Sequence, residues 1–210
     1  MSFEVTFSEL GLIETLWFSR AHGFVRLELH LARLAASSQA LGHAHDEAKT
    51  RAALEAIVAQ TEGEHLRVRL EQAQNGELKV SASAFAPLAQ DIIWRAKIAA
   101  HRLDADDGLL IHKTTRREFY DAARVASGVE EAIFLNNRDE VCEGSITSLF
   151  VSRDGILMTP PLSSGLLAGV LRAELLAQGL AREGVLYLDD LRDGFFFGNS
   201  LRGLIAGRLA

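Results

Sequence analysis

The sequence has a single cysteine, Cys142, among 210 residues. No internal disulfide can form, which suits a reducing compartment. It lacks any apolar run of the roughly 18 residues that span a bilayer. Its first residues, Met-Ser-Phe-Glu-Val-Thr, lack the basic-then-apolar order of a secretory signal. A cytoplasmic protein without membrane association is expected. A long basic run is also missing: the densest cluster is Arg116-Arg117 beside His112 and Lys113, and the net charge is −6. Nucleic acid is therefore not an expected partner, because its phosphates call for a basic face. The pair His43-Ala44-His45 has no clustered third ligand, and metal sites usually need three or four, so no metal is expected. Internal repeats and low-complexity segments are absent as well.

What is present is ordinary for a globular protein: 48% hydrophobic and 24% charged residues, enough for one large domain or two small ones. Residues 10–18 and 24–28 read as strands about a turn at Arg20–Gly23. Helical spacing runs from Glu28 to Leu41, with Leu27, Leu31 and Leu34 on one stripe and Gly42 as a stop. Asp46 caps a second helix carrying Leu54, Ile57 and Val58. His65–Gln72 alternates, with Leu66, Val68 and Leu70 on one face and Arg67, Arg69 and Glu71 on the other. Asn75-Gly76 marks a hairpin whose partner strand runs to about Phe85. This first unit is an α+β domain over residues 1–86, and 87–91 reads as a linker.

The second domain, 92–210, opens on a strand, Ile92–Ile98. Gly108–His112 looks like an apolar strand leading to Lys113, with a helix from Arg116 to Ala126. Strands are expected at Ala132–Leu135, Ser145–Val151, Val185–Leu188 and Phe195–Phe197. A helix is expected at Gly169–Gln178, closed by Gly179, and a turn at Gly198–Ser200.

Several residues could carry chemistry. A lysine leaving an apolar stretch pays for desolvation, which with neighbouring cations favours a nucleophilic amine, and Arg116 and Arg117 are near enough in sequence that they could supply those cations. The alternative is a strand-end lysine reaching water. Glu143 precedes Gly144-Ser145 at the entrance to an apolar strand, where a buried carboxylate could pair with a protonated pyridine nitrogen; a turn acid is the plain alternative. Arg33 could offer its fork of donors to a phosphate, or lie on a solvated helix face. The loop 160–171 opens a helix, whose first backbone amides favour phosphate. Cys142 reads as a small buried apolar residue.

Five motifs stand in one order: His-Leu-Ala-Arg-Leu at 30–34, His-Lys-Thr-Thr at 112–115 with Arg117 and Tyr120, Glu-Gly-Ser at 143–145, Gly-Leu-Leu-Ala-Gly-Val-Leu-Arg at 165–172, and Asn-Ser-Leu-Arg-Gly at 199–203. Together they resemble the class IV aminotransferase family, over about Gly11 to Gly203. The resemblance implies a two-domain fold type IV pyridoxal-phosphate enzyme of α+β and α/β character, similar to D-amino-acid aminotransferase, and a homodimer. It implies pyridoxal 5'-phosphate as cofactor, Lys113 as its Schiff-base lysine, Glu143 as partner of the pyridine nitrogen and Arg33 as a phosphate ligand. Gly169, Val170 and Leu171 match one phosphate loop, and Asn199 and Ser200 the second. The resemblance also implies Tyr120 as a contact of the cofactor oxygen, although it stands seven residues after Lys113, where many family members have a tyrosine at five; Glu118 holds that place here. Ser148 stands where the family usually has asparagine.

Within the family the motifs look most like the aminodeoxychorismate lyases of the folate pathway. That implies cleavage of 4-amino-4-deoxychorismate to 4-aminobenzoate and pyruvate, with a branched-chain or D-amino-acid transaminase as the alternative. Arg67, Arg69 and Arg202 are candidate contacts for the two substrate carboxylates; the plain alternative for Arg67 and Arg69 is the solvent face of a half-buried strand with Glu71.

Overall fold

A computed structural model describes residues 10–89 and 91–210. Residues 1–9 and Gln90, which fall in the expected first domain and linker, lie outside the described residues. The chain divides into two units: Met1–Pro87 with Lys113–Arg116, and Leu88–His112 with Arg117–Ala210.

The first unit holds β1 (Leu12–Ser19), β2 (Gly23–Phe24), α1 (Leu27–Leu41), α2 (Glu47–Gln60), β3 (His65–Gln72) and β4 (Leu78–Ala84). The strands form an antiparallel sheet in the order β2-β1-β3-β4. Leu12, Leu16, Leu66, Val68 and Leu70 turn one face toward Leu31 and Leu34 of α1 and Leu54 and Val58 of α2, forming one buried cluster. The Asp46 side chain accepts a hydrogen bond from Lys49 N at 3.0 Å and so starts α2. The strand expected over 24–28 is shorter, because Arg26 adopts φ 59° and turns the chain into α1.

The second unit holds β5 (Ile93–Ile98), α3 (Glu118–Ser127), β6 (Glu131–Leu135), β7 (Val141–Gly144), β8 (Ser148–Arg153), β9 (Ile156–Thr159), α4 (Val170–Ala177), β10 (Ala181–Glu183), β11 (Phe195–Asn199) and β12 (Gly203–Leu209). Its sheet runs β10-β9-β8-β11-β12-β5-β6-β7, and a further pairing of β7 with β8 closes it on itself. That closure is the pair Glu143↔Ser148. Trp94, Ile133, Leu149, Phe195, Phe197 and Ile205 share one buried cluster of this unit.

Three sequence expectations change here. Gly108–His112 is a succession of turns, with Leu110 N bonded to Asp107 O and His112 N to Leu109 O. The strand expected over Ser145–Val151 begins at Ser148, because Gly144–Thr147 folds into a tight turn. At Val185–Leu188 only an isolated bridge, Tyr187 with Glu140, precedes a short 3-10 turn at Leu188–Leu191. Among the described residues no helix is long and apolar enough to cross a membrane.

Candidate active site

Lys113 belongs to the first unit because its backbone extends that unit's sheet. Ile13 N donates to Lys113 O at 2.8 Å, and Thr115 N donates to Gly11 O at 2.8 Å, around an antiparallel bridge of Leu12 with Thr114. Lys113 thus stands across β1 from Ile13. Cross-strand partners share a face, so this register sets the backbone of the half-buried Lys113 in the row of Ile13, on the side that carries Thr15, Trp17, Arg67 and Arg69 further along. The lysine's charge reaches His30 of α1 and helps lower that ring's pKa. Arg69 pairs with Glu71 at 3.2 Å, and Arg67 is exposed. Beyond them Lys79, Ser81 and Ser83 of β4 complete the rows.

The opposite face of β1 carries a buried acid, Glu14, in the row of Leu12 and Leu16. Arg33 of α1 grips it with both arms of its fork, Nε to Oε1 at 2.8 Å and Nη2 to Oε2 at 2.6 Å. His30, one turn earlier, lies 2.6 Å from Oε2 through Nδ1. Burial alone would push the Glu14 carboxyl up, but the Arg33 charge and the bonds from His30 and Arg33 outweigh it and hold it at about 2. Burial also lowers the His30 pKa, against the pull of Glu14. Arg33 is therefore no solvated helix residue. Its guanidinium is held by a fully buried acid that sequence reasoning missed. The signal was a lone acid in the inward row of an apolar strand.

In the second unit Glu143, on β7, is 5% exposed. Its Oε1 accepts the Tyr120 hydroxyl at 2.5 Å and its Oε2 the Leu167 amide at 3.1 Å. The tyrosine displaced by two residues from the usual family position thus ends on the acid. Burial, and then the neighbouring negative charge of Glu143, push the Tyr120 phenol pKa up. Arg117 lies over the Tyr120 ring, 5.2 Å from its centre, and donates to Ser145 O at 2.6 Å.

The turn after Glu143 is built around a second acid that the sequence reading passed over, Glu131. Its carboxyl group accepts Ala132 N and Ser145 N, each at 3.0 Å, Ile146 N at 3.2 Å, Thr147 Oγ1 at 2.9 Å, and the Ser145 hydroxyl. Gly144 must be glycine here: a Cβ would sit 2.8 Å from Glu131 Oε2. An acid opening a fully buried strand was the available signal.

Gly169 caps α4 and packs against Ser148, whose Oγ a Cβ on Gly169 would strike. Val170 and Leu171 form the first turn, with the Leu171 side chain buried beside Phe150 and Leu175, so only its amide suits an anion. Asn199 ties the second loop together, donating to Ile146 O at 3.1 Å and accepting from Leu201 N and Arg202 N. Ser200 is buried, and Arg202 lies over the Trp94 ring at 5.6 Å. Cys142 is buried, donates from Sγ to Ser164 O at 3.2 Å, and has its thiol pKa pushed up by burial. The described residues hold no cluster of three metal-ligating side chains.

This donor set fits pyridoxal 5'-phosphate: a buried carboxylate suits a pyridinium, and a glycine-capped helix start suits a phosphate. The match to known proteins agrees. A profile of the amino-transferase class IV family matches residues 11–209, and the chain belongs to that family of pyridoxal-phosphate enzymes. A Schizosaccharomyces pombe protein provisionally named an aminodeoxychorismate lyase is 27% identical over 198 residues, covering 87% of this chain and 83% of that one. The crystal structure of a Mesorhizobium loti protein provisionally named an amino-acid aminotransferase is 42% identical, with TM-score 0.92, covering 96% of this chain and all of that one. The branched-chain aminotransferase of Thermoproteus uzoniensis shares the fold, at 22% identity and TM-score 0.83, covering 99% and 82%.

Proposed function

We propose that this enzyme is a 4-amino-4-deoxychorismate lyase that releases 4-aminobenzoate and pyruvate. The observation that carries the reading is the side of the sheet with Thr15, Arg67 and Arg69, at whose edge the Lys113 backbone pairs. A substrate with one carboxylate on its ring and another on its enolpyruvyl arm suits guanidinium forks on the side of the sheet whose edge carries the lysine. A branched side chain would instead want an apolar lining, and the exposed residues of this face are Arg67, Lys79, Ser81 and Ser83. The length of the S. pombe match adds support.

In this reading Lys113 holds pyridoxal 5'-phosphate, which supplies the electron sink. Glu143 keeps a proton on the pyridine nitrogen. Arg33, the amides of Val170 and Leu171, and Ser200 hold the phosphate; Asn199 shapes the loop that presents Ser200. The Lys113 amine takes the proton from the carbon bearing the substrate's amine. The ring then expels enolpyruvate by breaking its C–O bond and becomes aromatic, and enolpyruvate takes up a proton to become pyruvate. No oxidant is needed.

The test is product formation from 4-amino-4-deoxychorismate. Wild type should yield 4-aminobenzoate and pyruvate in equal amounts, and Arg69→Ala should raise KM about tenfold or more, the scale of one lost charge-assisted contact. A second reading, transamination, is favoured by the name of the M. loti relative. Wild type that makes no 4-aminobenzoate yet passes an amino group from an amino acid to 2-oxoglutarate establishes it.

A further inference from the structure

Tyr120 sits where its side chain has one polar task. Its ring is wedged between Phe119 at 4.1 Å and Phe134 at 4.9 Å, with Arg117 over it, and the residue is 7% exposed. The aromatic walls fix the ring, so the hydroxyl is aimed before any ligand arrives. Its partner is Glu143 Oε1, while the Leu167 amide holds Oε2. A carboxylate offers about four lone-pair sites, so two donors orient Glu143 without by themselves exhausting it.

We propose that Tyr120 is a positioning residue for Glu143, holding its carboxylate ionised and in one rotamer so that a proton shared with a bound pyridine nitrogen stays on the nitrogen. This rests on Glu143 being the pyridine partner. A donor on the charged form of a carboxyl group lowers its proton affinity. Without the phenol, Glu143 is the stronger base and draws the shared proton toward itself. The electron sink then weakens although the acid is still in place. Tyr120 thus acts through Glu143, and its displacement along α3 replaces a direct cofactor contact by control of the acid. Arg117 completes the arrangement by tying the tyrosine face to the turn at Ser145.

The chain has only two tyrosines, Tyr120 and the half-exposed Tyr187. Tyrosine labelled with 13C at Cζ therefore gives two signals in the cofactor-free protein, and Tyr120→Phe identifies one of them. Glu143→Gln should move the Tyr120 signal and leave Tyr187 in place; a stationary Tyr120 signal overturns the pair. In the holoenzyme, Tyr120→Phe keeps the ring packing, so the protein should fold and retain cofactor. Its kcat should fall about ten- to a hundredfold with KM little changed, and the pH dependence of its visible band should shift. Wild-type kcat with an unshifted band overturns the positioning role. If Glu143→Gln proves fully active while the Tyr120 signal moves, the pair exists but the assignment of Glu143 to the pyridine nitrogen fails.

Discussion

Glu131 and Glu143 lie on neighbouring strands of one sheet, both buried, and they are used in opposite ways. The donors to Glu131 come from its own strand neighbour and the turn 145–147, so its oxygens are consumed in making a piece of backbone stand still. Glu143 takes one phenol and one amide from separate elements, α3 and the loop before α4. The first acid builds shape. The second is oriented by shape that others supply. Burial alone therefore does not separate the acid that builds a turn from the one proposed to meet the cofactor.

Replacing Glu131 with alanine should show the largest effect and should show it in stability. Several buried donors lose their acceptor at once, at a cost of about 3–5 kcal/mol, which calorimetry would read as a Tm lower by roughly 10 °C. A Glu131→Ala protein of unchanged Tm would break the contrast. Glu143→Gln should do the reverse: near-normal Tm and cofactor content, with turnover down roughly a hundred- to a thousandfold, the scale of a lost transition-state contact. Normal turnover would return Glu143 to the structural class.

Glu14 sharpens the comparison from the first unit, because a guanidinium and an imidazole hold it rather than amides. Its folded pKa, about 2, lies below the ordinary 4.5. The stabilisation it gives is therefore complete above about pH 4.5 and is lost as the pH falls toward 2. Acid unfolding followed by circular dichroism should show wild type losing stability across that window more steeply than Glu14→Gln. Parallel curves would contradict the ion pair. The smallest effect on turnover is expected for Arg33→Ala: cofactor titration should show affinity weakened about tenfold or more while kcat at saturating cofactor changes little, and calorimetry a lower Tm because the buried Glu14 loses its cation. Unaltered affinity would leave Arg33 as a partner of Glu14 alone.

Much of the first unit was legible in the sequence because its signals are local. The Asp46 cap, the strict alternation of 65–72 and the Asn75-Gly76 turn each declare themselves within a few residues. The second unit hides its order in longer-range pairings. β7, β9, β10 and β12 were not foreseen: β10 pairs parallel with β9 and β12 parallel with β5 across long connections, while β9 follows β8 through the tight Asp154-Gly155 turn and β12 follows β11 directly. The apolar run Leu109–Ile111 has no period that separates a strand from packed turns. At the site the motifs pointed to Lys113, Glu143 and Arg33, but not to what grips them. Glu14, Glu131 and the Tyr120–Glu143 bond join residues between one and two dozen positions apart across strands, and no local spacing encodes such pairs.

The pairing of Lys113–Thr115 with β1 has a consequence for dissecting this protein into parts. Polypeptide passes between the units after Pro87, again before Lys113 and again after Arg116, so the first unit is not one continuous stretch of gene. A fragment ending at Pro87 would keep both helices and all four strands of its sheet yet expose the edge of β1 at Gly11–Ile13 that the lysine segment covers. Such a fragment invites edge-to-edge association. The reactive amine proposed for this enzyme would be left on the other piece, with no strand to align it.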